Sequence, residues 1–184
     1  MATHAPLRDA TGSLKLIDYI RDIPDFPTKG ILFRDITPLL QHGPAFRQAI
    51  QTLAARHNGG NRPDAVVAIE SRGLIIGSAL AHELGVGIVP VRKKGKLPHK
   101  TFSATYTLEY GHDTLEIHQD AIRAGARVLL VDDLLATGGT MGATIKLIEQ
   151  CGGTIIELAF LIELTALKGR QQLAPHPIIS LIQY

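Results

Sequence analysis

The stretch VLLVDDLLATGGT, Val128 to Thr140, constrains the fold more than any other part of the chain. Val128 to Val131 is a continuous apolar run, which suits a parallel strand buried on both faces. From Thr140 onward, TMGATIKLIEQ places Met141, Ile145 and Ile148 at helical spacing. Between strand and helix, Ala136, Thr137, Gly138, Gly139 and Thr140 carry no bulky side chain. Backbone N–H groups there can approach an anion closely, and the two threonines add hydroxyl donors. The helix N-terminus behind the loop contributes roughly half a positive charge. The expectation is a phosphate cradle.

Asp132 and Asp133 precede that cradle, although carboxylates repel phosphate. They make sense if the phosphate is attached to a sugar, whose vicinal hydroxyls want acceptors, or if a divalent cation is shared with the ligand. The loop lacks the lysine of a GxxxxGK[ST] loop, and no GxGxxG occurs, so ordinary nucleotide cradles fit poorly. The bland alternative is a strand-turn-helix with incidental glycines.

The rest of the chain repeats the strand-helix alternation. Ala65 to Ile69, Val86 to Val91, Thr154 to Ile162 and Ile178 to Ile182 read as strands, and Leu74 to Leu84 as a helix. Leu14 to Arg21 reads as a short helix, followed by an irregular connection at Pro24 and Pro27. Pro44 suits a helix start, and Phe46, Ile50, Leu53 and Ala54 continue one apolar face to His57. This order predicts an α/β protein with a parallel sheet and ligands at the carboxyl ends of its strands. At 184 residues the chain fits one domain, 1–184, with a polar, frayed tail over 1–13 and a small N-terminal hood over 14–43.

Arg92 to Gln119 breaks the pattern and is too long for an ordinary loop. Thr101 to Tyr110 alternates, with Phe102, Ala104, Tyr106, Leu108 and Tyr110 on one face. Gly111-His112-Asp113 is expected to turn, and Leu115 with Ile117 to return. The region 92–119 is expected to be a movable β-hairpin flap.

Three further places could carry chemistry. Glu70-Ser71-Arg72-Gly73 lies between a strand and a helix, and Arg72 there either chelates a polyphosphate or is a solvated surface residue. Arg92, Lys93, Lys94 and Lys96 form a basic cluster at a strand end. No aromatic residues interleave with it, which argues against nucleic acid, and position favours pyrophosphate over a solvated run. Phe33, beside Arg34 and Asp35, either stacks on a planar base or anchors the core.

Composition excludes several classes. A hydrophobic content of 45%, a charged content of 20% and a net charge of +2 describe an ordinary globular protein without a nucleic-acid footprint. No apolar run approaches the roughly 20 residues that span a bilayer, and Met1 to Ser13 has no signal-peptide core. Cys151 is the single cysteine, which agrees with a cytoplasmic location and a packing role at a helix end. The eight histidines have no metal-ligand spacing.

Taken together, FPTKGILFRDITPLL, ESRG, VRKKGKLP, LEYG with LEIH, VDDLLATGGT and LIELTALKGRQQLAP resemble the adenine phosphoribosyltransferase family of type I phosphoribosyltransferases, from about Pro24 to Tyr184. The resemblance implies the type I fold and a purine-salvage reaction: magnesium-dependent transfer of ribose 5-phosphate from phosphoribosyl pyrophosphate to adenine, giving AMP and pyrophosphate. It puts the 5-phosphate on Ala136, Thr137, Gly138, Gly139 and Thr140, and the ribose hydroxyls on Asp132 and Asp133. Arg72, Lys93 and Lys96 would face pyrophosphate, near a cis peptide at Glu70-Ser71. The base would lie between Phe33 and Leu164, read by backbone around Leu32 and Arg34. Glu109 is the candidate for exchanging a proton with the base, and Tyr110 for closing the site. Magnesium would be held mainly by substrate, with Asp132 the side chain that could join it. A homodimer is implied, with no membrane or nucleic-acid partner. A transferase for another base, and a non-catalytic regulator that binds phosphoribosyl pyrophosphate, are the competing readings. A regulator more typically adds a DNA-binding segment and lacks a complete flap.

Overall fold

The computed structural model describes residues 12–108 and 111–184, with the backbone alone at 107–108. Most of the expected tail, and both Glu109 and Tyr110, lie outside the described residues. The chain divides into two compact units, 1–52 and 53–184.

The first unit contains a hairpin of β1 (Arg21–Pro24) and β2 (Leu32–Asp35), paired antiparallel with Ile23 opposite Phe33. Helices α1 (Thr37–Gln41) and α2 (Gly43–Ala54) follow, and α2 carries the chain into the second unit. Pro44 falls in the first turn of α2, where its missing N–H leaves no helical bond unmade. The helix expected over 14–21 is only a 3-10 turn, Leu16–Tyr19, and Arg21 already belongs to a strand. The apolar spacing of Leu14, Leu16, Ile17 and Ile20 mimics a helix, but the segment must leave it to pair with β2.

In the second unit, the strands are β3 (Ala65–Ile69), β4 (Gly87–Lys93), β5 (Thr101–Leu108), β6 (Gly111–His118), β7 (Arg127–Leu135), β8 (Thr154–Glu163) and β9 (Ile178–Gln183). Helices α3 (Arg72–Leu84), α4 (Gly139–Gln150) and the short α5 (Gly169–Gln172) connect them. Among the described residues these strands form one seven-stranded sheet, ordered β5-β6-β4-β3-β7-β8-β9. The five strands from β4 to β9 in that order are parallel, as expected. The hairpin does not hang from a loop: β6 pairs antiparallel with β4 (Arg92 opposite Glu116, Lys93 opposite Leu115), so the central sheet is mixed. Ala104, Leu115 and Ile117 explain this, because they are buried in the core against Val89 and Val91. The turn also moves. Gly111, His112 and Asp113 are part of β6, with Leu108 opposite Gly111, so these three do not form the turn.

Side-chain alternation sorts the two faces of β3. Val67 and Ile69 join the core with Met141, Leu147 and Ile148 of α4. Val66 and Ala68 point the other way, where Gly77 of α3 lies against them. Strands β4 and β7 flank β3 on opposite sides, which opens a crevice at the carboxyl ends of β3 and β7. Cys151 ends α4, half-buried and packed against the core, and burial pushes its thiol up.

Candidate active site

β7 outlasts its neighbour. Its pairing with β3 ends at Ala68 opposite Val131, while β8 stays beside it to Leu135 opposite Glu163. Asp132 and Asp133 therefore lie within the strand rather than after it, at the open crevice. The start of α3 fills part of the gap, and only glycine fits there: a Cβ on Gly73 would come 2.6 Å from Asp132 Oδ1.

The two carboxylates are held differently. Asp133 is buried and lies 2.8 Å from Arg72 Nη2, and its backbone N–H donates to Asp132 Oδ1 over 2.9 Å. Asp132 is half-buried and lines a cavity of about 60 Å³ together with Thr137, Gly138, Gly139, Thr140 and Phe160. Burial first, and the adjacent Asp133 charge second, push the Asp132 carboxyl well above the usual range. Burial also raises Asp133, against the opposing pull of Arg72. Two acids facing one guanidinium are short of positive partners, so a ligand bringing hydroxyl donors or a cation relieves the pair.

The cradle itself follows. Gly138 has φ +89° at the start of α4, in the left-handed region that favours glycine. Its carbonyl accepts from Gly142 N–H at 2.8 Å. Ala136 to Thr140, the five residues expected to hold phosphate, line the cavity together.

On the other side of β3, the peptide between Glu70 and Ser71 is cis. Glu70, whose side chain is 3% exposed, turns toward the basic cluster rather than toward the crevice as a free acid. It lies 2.8 Å from Arg92 Nε and 3.1 Å from Lys96 Nζ, and accepts from the Lys93 N–H at 2.5 Å. Burial acts to raise its carboxyl, but Arg92, the Lys93 N–H and Lys96 outweigh that and lower it. Arg92 and Lys93 are the last residues of β4, because β6 pairs with them and extends the strand past Val91. Lys93 Nζ is 2.9 Å from Asp113 Oδ2.

Leu164 is half-buried just past β8, its N–H bonded to Leu135 O at 2.9 Å. Arg170 grips Glu163 beside it through two contacts, 2.6 and 3.0 Å, and Ser180 donates to the same carboxylate at 2.5 Å. In the first unit, Phe33 is half-buried and meets Phe26 edge-on with centroids 5.1 Å apart; Leu32 is exposed, and Arg34 pairs with Asp22. Glu109 and Tyr110 are outside the described residues.

Sequence reasoning missed Asp113, read as a turn residue, and Tyr106, read only as a hairpin face. It also missed the Glu163–Arg170–Ser180 network. Pairing Leu108 with Gly111 would have set Tyr106 opposite Asp113.

A family model described as a phosphoribosyl transferase domain matches residues 39–178. The chain is 57% identical to an adenine phosphoribosyltransferase of Roseiflexus sp. (strain RS-1), over 92% of this chain and 98% of that one. Its structure is similar to that of the adenine phosphoribosyltransferase from Thermoanaerobacter pseudethanolicus, with TM-score 0.89 and 53% identity, covering 92% of this chain and 98% of that chain. It is also similar to the Saccharomyces cerevisiae enzyme complexed with an imino-altritol bisphosphate and adenine, with TM-score 0.87 and 42% identity, covering 91% and 96%. A carboxylate pair running into a glycine cradle, on a fold and sequence shared almost end to end with these proteins, puts the chain in the adenine phosphoribosyltransferase family.

Proposed function

We infer that this chain transfers ribose 5-phosphate from phosphoribosyl pyrophosphate to adenine in purine salvage, releasing AMP and pyrophosphate. The observation that carries the reading is the continuity of Asp132-Asp133 with the Gly138 cradle at the end of β7. One ligand that is both a phosphate and a sugar satisfies the two halves.

The roles follow from charge. Loss of pyrophosphate leaves cation-like character on the ribose and puts negative charge on the leaving group. Asp132 and Asp133 stabilise the first, and Arg72, Lys93 and Lys96 the second. Ala136 to Thr140 hold the 5-phosphate. On the family resemblance, Phe33, the backbone around Leu32 and Arg34, and Leu164 are assigned to the base. Glu109 exchanges the base proton, and Tyr110 closes the flap so that water does not intercept the activated sugar.

Among the described residues no group of three or more His, Cys, Asp or Glu could hold a metal. A half-buried carboxylate beside a phosphate cradle still suits a hard cation that brings most of its oxygen ligands with the substrate. Magnesium fits that description: Asp132 would join it, and its charge would help to neutralise the departing pyrophosphate. A homodimer working in the cytoplasm completes the reading, supported by the family resemblance and the lone cysteine. Among the described residues no helix is long and apolar enough to cross a membrane.

The test is a panel of bases supplied with phosphoribosyl pyrophosphate and magnesium. Adenine is expected to react, and hypoxanthine, guanine and orotate poorly. Replacing an amino donor by a carbonyl leaves a buried partner unpaired, at about 1–3 kcal/mol per group. Equal turnover of hypoxanthine would remove the adenine assignment and leave the transferase class standing.

A further inference from the structure

One carboxylate of the flap stem joins a lysine of the basic cluster to a tyrosine of the hairpin. Asp113, near the start of β6, has Oδ2 2.9 Å from Lys93 Nζ on β4 and 3.5 Å from the hydroxyl of Tyr106 on β5. Tyr106 also lines a cavity together with Thr137, Gly138 and Gly139 of the cradle. Asp113 Oδ1 is occupied by the Thr114 N–H at 2.8 Å, which fixes the carboxylate. Lys93 is opposite Leu115 in the sheet, so Asp113 reaches it diagonally from two residues along β6. The contact stands where the hairpin leaves β4.

The two carboxylates that hold the basic cluster differ in strength. Glu70 is buried and binds three partners, so its network is a fixed part of the fold. The Lys93–Asp113 pair is open, with side chains 55% and 23% exposed. Such exposed pairs are weak and exchange readily for a polyanion. We propose that Asp113 is a positioning residue that keeps Lys93 docked on the flap stem until the pyrophosphate group takes it over. The proposal rests on the reading that Lys93 serves pyrophosphate. Substrate then competes with the flap's own carboxylate for Lys93.

The test is calorimetric titration of inorganic pyrophosphate, with magnesium, into wild type, Asp113→Asn, Lys93→Ala and the double variant. Removing the competitor should tighten pyrophosphate about 3–5-fold, the worth of an exposed pair. The same change in Lys93→Ala should do nothing, because the competition is for Lys93. Asp113→Glu restores the carboxylate and should return affinity to wild type. Asp113→Ser, tested alongside in case Asn folds poorly, should tighten binding as Asn does. In steady state the KM for phosphoribosyl pyrophosphate should fall by the same factor while that for adenine stays. Unchanged or weaker binding by the Asn and Ser variants would overturn the proposal, as would equal tightening without Lys93, which would mean general charge repulsion. Titration needs no turnover, so a chain that binds pyrophosphate but makes no AMP fails the functional reading and still tests Asp113. A wild type that binds no pyrophosphate overturns both.

Discussion

Gly138→Ala separates the cradle's geometry from its chemistry. Gly138 has φ +89°, and a Cβ there would lie 3.1 Å from Gly169 O and 3.3 Å from Leu173 Cγ. A non-glycine residue in the left-handed region costs about 1–2 kcal/mol, and crowding against a carbonyl and a buried leucine adds about 1 kcal/mol. A loss of about 2–3 kcal/mol corresponds to roughly 5–10 °C in Tm for a chain of this size. The protein should remain folded at room temperature. The loop, however, can relieve the strain only by turning its N–H groups, and each hydrogen bond to a charged phosphate is worth about 1.5–3 kcal/mol. Affinity for phosphoribosyl pyrophosphate should therefore fall at least about tenfold for each bond lost, as measured by calorimetry. Gly142→Ala is the control on the same helix: its nearest neighbour would be 4.0 Å away, and it should gain about 0.5–1 kcal/mol from helix propensity. Folded Gly138→Ala protein that binds within about twofold of wild type would refute the cradle.

Three more outcomes follow from named residues. Asp132→Asn keeps shape and loses charge at the ribose, so kcat should fall by a larger factor than affinity for phosphoribosyl pyrophosphate, read from steady-state rates and calorimetry. Glu109→Gln should slow the chemical step by roughly 10²–10⁴-fold if Glu109 exchanges the base proton; a single-turnover rate within about threefold of wild type would remove it from that role. Burial works to raise Glu157, but His57, 3.1 Å away, and Arg56 outweigh it and bring its carboxyl from the ordinary 4.5 down to about 2. The folded carboxyl thus holds its proton more weakly than the unfolded one, so its contribution is complete above about 4.5 and drains away as pH falls toward about 2. Glu157→Gln should flatten that part of the Tm–pH curve.

The parts of the site that were legible in the sequence are those built locally. The apolar run 128–131, the small-residue turn and the helical spacing after Thr140 are contiguous, so their physics is written in one segment. The hairpin faces were legible for the same reason, since alternation is local. What joins distant segments was not. Nothing in RVLLVDDLL says that β8 runs beside it to Leu135 and carries both aspartates inside the strand. The end of β4 was misjudged because its extension through Arg92 and Lys93 depends on β6. Asp113 was hidden by a turn placed too late, a register matter that a Gly-His-Asp sequence decides wrongly by composition alone. The β1–β2 hairpin was missed because RDIP is too short and too polar to alternate.

Phosphorus NMR of the purified chain with phosphoribosyl pyrophosphate, magnesium and adenine tests the central claim most directly. AMP and pyrophosphate should grow in equal amounts as phosphoribosyl pyrophosphate disappears, with no free ribose 5-phosphate. Pyrophosphate without AMP, or substrate that stays intact, would contradict it.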